Sequence, residues 1–354
     1  MNQSVNVQQD QLQELRHAWA ELKQQNPHLR IRNAAEQLNV SEMELLLTQE
    51  AGRVVRLDAP MGKLMQALES LGPVMTLARN DQMVHETKGR VENFKVMAEG
   101  KMGLCLGAID LRTFLTHWQH GFAVSEAQSD GSDRLSIQIF SACGDAIFKI
   151  YAIDATDRSA WQALIQQHQA AEQRPVLQLQ ARTSMQRKAD PAFGWAALEA
   201  DWALLKDVHD FHDLLKKHNV DRRSALDHIS ERWAVRLQPD SLEKVLQRSA
   251  ETATPIMAFV GNPGIVQIYT GPVKKLLRTG PWFNVLDPTF NLHANTEQLE
   301  SVWHVVRPSE DGDITSLECF NQQGELVLTL FGERKPGKPE LESWRARMAE
   351  LERL

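Results

Sequence analysis

The sequence predicts an α+β fold, a tandem duplication of one unit in which an antiparallel sheet carries flanking helices. Three observations carry that expectation. Similar segments recur in order along both halves, hairpin-like stretches follow one another with glycine at their turns, and helical stretches open and close each series. Pro73-Val-Met-Thr-Leu-Ala-Arg-Asn80 resembles Pro255-Ile-Met-Ala-Phe-Val-Gly-Asn262, an offset of 182 residues. Val84, Gly89 and Val91 meet Val266, Gly271 and Val273 at that same offset. Ser136–Phe140 followed by Gly144 resembles Ser316–Phe320 followed by Gly324, an offset of 180 residues. Upstream, Leu22-Lys-Gln-Gln-Asn26 echoes Leu215-Lys-Lys-His-Asn219.

Each element is then placed in turn. Helices are expected over Gln11–Gln24 and Ile31–Glu50 in the first copy, and over Ala196–His218 and Arg223–Arg236 in the second. Turn residues Asn80-Asp81 and Asn262-Pro-Gly264 sit between β-branched stretches and read as hairpin connections. A helix is expected at Leu111–His120, with a counterpart at Thr296–Trp303. Second hairpins follow, Leu135–Phe140 with Ala146–Tyr151 and Ile314–Phe320 with Glu325–Phe331. Gly144 and Gly324 supply the permissive backbone at their turns. Trp161 and Trp344 lie in comparable closing helices. The Gln- and Arg-rich segment Gln169–Asp190, ending at Pro191, reads as a linker. The expected boundaries are therefore a first repeat over 1–168, a linker over 169–195 and a second repeat over 196–354.

Composition narrows the class. The 354 residues suffice for two domains, and 42% apolar with 24% charged residues is ordinary for a globular chain. A net charge of −7 argues against general nucleic-acid binding, which needs a basic surplus to meet phosphate. The opening MNQSVNVQQDQLQEL lacks the basic and apolar regions of a secretory signal. No run approaches the ~20 apolar residues of a membrane span. Cys105, Cys143 and Cys319 are odd in number and scattered, so a reducing cytoplasm is expected rather than a disulfide framework or a zinc knuckle. Ile31–Leu45 has a helix-turn-helix pattern, but the second helix carries Glu42 and Glu44 and would repel phosphate; packing is the better reading. No P-loop, GxGxxG, HExxH or GxSxG motif occurs, which leaves those enzyme classes without support.

Residues found in only one copy are candidates for function, since a duplicated fold sets two similar units about a cleft and ligands favour such clefts. Trp202–Leu215 is the most informative stretch. Read as one helix, it places Leu205, Val208, Phe211, His212 and Leu215 on a broad apolar arc with His209 beside His212. An imidazole in apolar surroundings suits a soft or borderline metal such as heme iron, while the same spacing also fits surface or packing histidines. The residues alone leave both open. His85, in Met83–Thr87, has Gln267 at the equivalent position of the other repeat, so the fold does not demand histidine there; a strand histidine turned to solvent or a neighbour is the bland alternative. Arg112 opens its expected helix with Phe114 two positions on, and its repeat counterpart lies near Thr289. It either donates to an anionic ligand or snorkels at the surface. Arg222, Arg307 and Arg334 would neutralise an acidic ligand if the fold gathers them.

At Asp207-Val-His-Asp-Phe211, Leu214–Asn219 and Arg222 the chain resembles the cytoplasmic heme-utilisation family that includes HemS, ChuS, ShuS, HmuS and PhuS. Further matching stretches are Phe259–Asn262, Gln267–Gly271, Asn284 to Phe290 with Leu292-His293, Asp311-Gly312 to Glu318, and Gly332–Arg334. Leu22–Pro27, Val84–Glu86 and Asp110–Leu115 match in the first half. The resemblance spans nearly the whole chain, and that family is itself a tandem duplication. It implies one heme (iron protoporphyrin IX) in a cleft between the halves, with His209 as axial iron ligand and Arg112 on the opposite heme face. Phe114 and Phe259 match apolar pocket residues, and Arg222, Arg307 and Arg334 match basic groups near the propionates. Some members have lysine at the position of Arg307. His212, where several members carry phenylalanine, brings the pattern nearest to PhuS-type members, in which histidine there serves as an alternative ligand. Asp210 lacks the further histidine of some of those members.

The resemblance implies a carrier that traffics or sequesters imported heme and hands it to heme-degrading machinery such as a heme oxygenase, after delivery by an inner-membrane heme importer. Two alternatives come with it. One is a hemin-degrading enzyme that cleaves the porphyrin with a reductant and oxygen or peroxide to release iron. The other is a heme-regulated DNA-binding role, which the acidic charge argues against.

Overall fold

The computed structural model describes residues 2–50, 52–173, 179–181, 194–335 and 337–354. The described residues form two units, each fed by both halves of the chain. One draws on 1–78, 88–183 and 263–265, the other on 79–87, 184–262 and 266–354. Much of the expected linker, 174–178 and 182–193, lies outside the described residues.

In the first unit five strands pair antiparallel in the order Val54–Leu57, His120–Ala127, Asp133–Phe140, Ala146–Ala152 and Pro73–Arg79. The second unit repeats that order with Ala234–Leu237, Leu299–Arg307, Ile314–Asn321, Leu326–Gly332 and Ile256–Asn262. Helices Arg158–His168 and Glu342–Ala349 close the two sheets and bury Trp161 and Trp344 in their cores. The duplicated α+β architecture with antiparallel sheets is therefore as expected.

Each unit also holds a smaller ladder. In the first, Lys95–Met97, Met102–Cys105 and Asp110–Phe114 pair antiparallel. The Gly264 carbonyl accepts from the Phe114 amide at 2.9 Å and from the Trp118 indole at 2.8 Å. In the second unit, Leu276–Thr279, Trp282–Leu286 and Phe290–Asn295 pair in turn, and Phe290–Ala294 registers with Met83–Thr87. So 263–265, from the second half, belongs to the first unit, while 79–87, from the first half, belongs to the second.

Several expected helices are overturned. Leu111–His120 is instead strand Asp110–Phe114, a single 3-10 turn at Leu115–His117 and the start of another strand. Leu111, Thr113 and Leu115 are buried while Arg112 and Phe114 are half-buried, a period of two that suits a pleated edge rather than a helix. Thr296–Trp303 likewise reduces to a 3-10 turn leading into strand Leu299–Arg307. Arg223–Arg236 divides into helix Arg222–His228 and strand Ala234–Leu237. Ile31–Glu50 divides into helices Ile31–Gln37 and Glu42–Leu47. Asn39 takes φ 52° between them, a left-handed helix stop, and Ser41 with Glu44 forms a capping box for the second helix. Helix Glu42–Leu47 turns Glu42, Met43, Leu45 and Leu46 inward, and the Lys149 ammonium pairs with Glu42. That helix packs; it does not present a recognition face.

Asn219 repeats the device, with φ 52° before Asp221, whose carboxylate caps Arg222–His228. The structural counterpart of Asn219 is thus Asn39. The echo between Leu22–Asn26 and Leu215–Asn219 marks similar composition rather than equivalent position, because Leu22 lies inside the long helix Asn2–Gln25.

Candidate functional site

The expected helix over Ala196–His218 is broken where it matters most. Helix Trp195–Trp202 ends, Asp207 is extended at φ −136° and ψ 136°, and a 3-10 turn Val208–Asp210 leads into helix Phe211–Lys217. Aspartate competes for backbone donors and prefers a helix-capping place to a helix interior. Here one Asp207 oxygen accepts both the His209 amide, at 2.9 Å, and the His209 ring Nδ1, at 2.6 Å. The His209 backbone N–H does most to hold the Asp207 carboxyl below its ordinary range, with the imidazole and Arg334 adding to it against partial burial. An ionised carboxylate only accepts, so the bond is donated by Nδ1–H of His209. The His209 side chain is 87% exposed. The break therefore lifts His209 off the apolar arc and points a pre-oriented imidazole outward. His212 lies in the first turn of the next helix, also exposed.

Phe211, between the two histidines, is buried. The guanidinium of Arg307 lies over its ring at 4.3 Å and that of Arg222 at 5.0 Å. Both arginines converge on Glu318. Arg222 donates two bonds of 2.8 Å from Nε and one Nη, and Arg307 donates from an Nη. Ser316 accepts from Arg307 at 3.2 Å and donates to Glu318 at 3.1 Å. Burial alone would raise the Glu318 carboxyl, but the two cations outweigh it and lower it to about 2. Arg307 is 2% exposed, whereas the Arg222 side chain keeps 28% exposure. Arg334 reaches Asp311 at 3.9 Å and holds its Nε buried without a partner. Of the three arginines, Arg222 and Arg307 are thus gathered, by a carboxylate of the protein itself.

Phe259 is half-buried on strand Ile256–Asn262, edge-on to Phe331 at 5.3 Å between centroids. His85 is enclosed in the second unit, where Nε2 meets the Thr87 hydroxyl at 2.9 Å and the ring packs edge-on to Phe290 at 5.0 Å. Burial pushes its imidazole down to about 3, against a smaller opposing effect of the Gln267 backbone. In the first unit Arg112 and Phe114 share one face of strand Asp110–Phe114, as alternation requires. Arg112 pairs with Asp110 and donates to the Leu111 carbonyl at 3.2 Å, leaving its side chain 35% exposed. Reading the sequence without the fold assigned no role to Asp207 or Phe331. For Asp207 a signal was present: an aspartate two residues before the histidine, at a helix start.

A duplicated α+β chain with an exposed, carboxylate-held histidine at a helix start defines a class that comparison makes specific. The haemin-degrading HemS.ChuX domain pattern matches the chain twice, over residues 39–168 and 219–351. The chain belongs to that family. It is 36% identical over 335 residues to the hemin transport protein HmuS of Yersinia pestis, covering 94% of this chain and 96% of that one. Among solved structures it resembles holo-PhuS, a heme-binding protein from Pseudomonas aeruginosa, at 44% identity and a TM-score of 0.93, covering 97% of this chain and 99% of that one. It also resembles the heme-degrading enzyme ChuS of Escherichia coli O157:H7, at 35% identity and a TM-score of 0.89, covering 96% and 99%. Both matched segments begin at the paired left-handed asparagines, Asn39 and Asn219.

Proposed function

We propose that the protein is a cytoplasmic heme carrier that takes up imported heme as cargo through His209 and passes it to heme-degrading machinery. One observation carries this reading. His209 is exposed, its Nδ1 meets Asp207 and, among the described residues, its Nε2 has no partner, an arrangement from which a neutral imidazole can ligate iron. The half-buried Phe259 and Phe114 offer apolar surface for a porphyrin, Arg222 and Arg334 offer cations for its carboxylates, and Arg112 is proposed, as the resemblance implies, for the heme face opposite the iron ligand. His212 is proposed as the alternative ligand. Arg307 supports the site through Glu318 and Phe211. The proposed repeats are 1–168 and 196–354. No described helix is long and apolar enough to cross a membrane.

The test is a hemin titration followed by absorbance. His209→Ala should weaken and shift the heme band, and His209→Ala combined with His212→Ala should abolish iron ligation. Unchanged spectra in the double variant would sink the assignment. The likeness to ChuS supports a second reading, a hemin-degrading enzyme. Aerobic turnover with a reductant separates the two: catalytic porphyrin cleavage that survives removal of free peroxide favours the enzyme, and stable bound heme favours the carrier.

A further inference from the structure

We propose that Asp207 is a positioning residue that selects His209 over His212 as the iron ligand and sets the strength of the iron–imidazole bond. This rests on the heme reading above. The two histidines are three residues apart and both are exposed, so exposure does not choose between them. Their hydrogen bonding does. His209 has its ring nitrogen and its own amide tied to one carboxylate oxygen, at 2.6 and 2.9 Å. Among the described residues the His212 side chain makes no hydrogen bond, so its ring is free to turn and both of its tautomers are open. Ligation by His212 would cost the freezing of that rotamer and the choice of a tautomer. Ligation by His209 costs neither, because the carboxylate has already fixed the ring and the protonated nitrogen.

The same contact acts on the bond itself. A carboxylate that accepts the Nδ1 proton pushes electron density to Nε2 and makes the imidazole a stronger donor to a metal. Asp207 is kept for that task by its surroundings. It caps the 3-10 turn Val208–Asp210, so the backbone that holds the carboxylate also carries the histidine, and the pair moves as one piece.

The experiment uses the full chain with hemin. Asp207→Asn keeps a capping oxygen but removes the charge, and Asp207→Ala removes both; each is combined with His212→Ala. The readouts are hemin affinity, the iron–imidazole stretching frequency of the ferrous complex, and circular dichroism as a check on folding. Asp207→Asn should lower the stretching frequency, and hemin affinity should fall about 10- to 100-fold, as for other outer-sphere partners of metal ligands. His212→Ala should change the spectrum more in the Asp207→Ala background than in the parent, because without the carboxylate the two histidines share the iron. A folded Asp207→Asn protein with the parental frequency and affinity would overturn the proposal. So would an Asp207→Ala protein whose spectrum ignores the His212 substitution. Failure of the heme reading looks different: there the parent protein does not bind hemin, or His209→Ala leaves its spectrum unaltered.

Discussion

The guanidinium of Arg307 lies 4.3 Å from the ring centroid of Phe211, two residues beyond the histidine proposed to hold iron. Arg222 approaches the same ring at 5.0 Å, and Glu318 ties both cations. An Arg–Glu–Arg cluster thus anchors the start of helix Phe211–Lys217. Glu318 is the member the others cannot lose, since it is fully enclosed between two positive charges.

Glu318→Gln should therefore destabilise the fold by about 3–5 kcal/mol, the cost of leaving buried charge unpaired. Arg222→Gln should cost less, because that side chain is partly solvated. Denaturant unfolding measures both. The pH dependence has a definite sign. The folded carboxyl titrates at about 2 against an ordinary 4.5, so its contribution is complete above 4.5 and is lost as pH falls toward 2. An acid limb unchanged in Glu318→Gln would count against the cluster.

His85 gives a second acid-sensitive contribution by a different route. Burial holds its ring neutral, with a folded value of about 3 against an ordinary 6.5. Between those limits the unfolded chain binds the extra proton, so stability falls as pH falls through 6.5 toward 3. His85→Gln, which copies the repeat position Gln267, should flatten the stability profile across that window. Hemin spectra should stay as in the parent, since the ring has no exposed surface. A changed heme band in this variant would instead bring His85 to the cargo.

Gly332 has no room for a side chain. A Cβ there would stand 2.5 Å from the Cβ and 2.6 Å from the Cγ of Trp344, which is fully buried and donates from its indole to the Thr315 carbonyl at 3.1 Å. The conflict is with the tryptophan's own Cβ, so no smaller aromatic would relieve it. Gly332→Ala should cost about 1–3 kcal/mol as overpacking. Calorimetry or urea unfolding reads that loss, and a variant as stable as the parent would show that the closing helix can slide.

The duplication was legible because its signals are local: glycine turns, alternating strands and a recurring proline-led segment need no tertiary information. The histidine at 209 was legible mainly through family resemblance. Its setting was not. A period of 3.6 carries Trp202–Leu215 through as one helix, and only the competition of Asp207 for the His209 amide shows why the helix stops. Arg307 reads as a cation for an acidic ligand because its partner, Glu318, sits on the adjacent strand and becomes a neighbour only when Leu299–Arg307 and Ile314–Asn321 pair. Asp110–Phe114 is too short for either period to dominate, and pairing with Met102–Cys105 decides it.

That last correction changes what Arg112 is expected to do. On a helix, Arg112 and Phe114 would point nearly apart; on the strand they share a face, with Thr113 turned inward. The Thr113 hydroxyl is buried without a partner, so Thr113→Val should be neutral or slightly stabilising and should leave hemin binding alone. Arg112→Ala should weaken hemin binding severalfold, and Arg112→Lys should fall between, keeping the charge without the planar fork. The Asp110 carboxyl is already raised by burial, with Arg112 opposing the rise. Removing the guanidinium should raise it further, a shift that carbon-detected NMR titration of Asp110 can follow without any heme present. Two results would return Arg112 to the role of a surface arginine. One is parental hemin affinity in Arg112→Ala. The other is equal loss from Thr113→Val, since a change felt alike on both faces of the strand would reflect damage to the sheet rather than loss of a contact with the cargo.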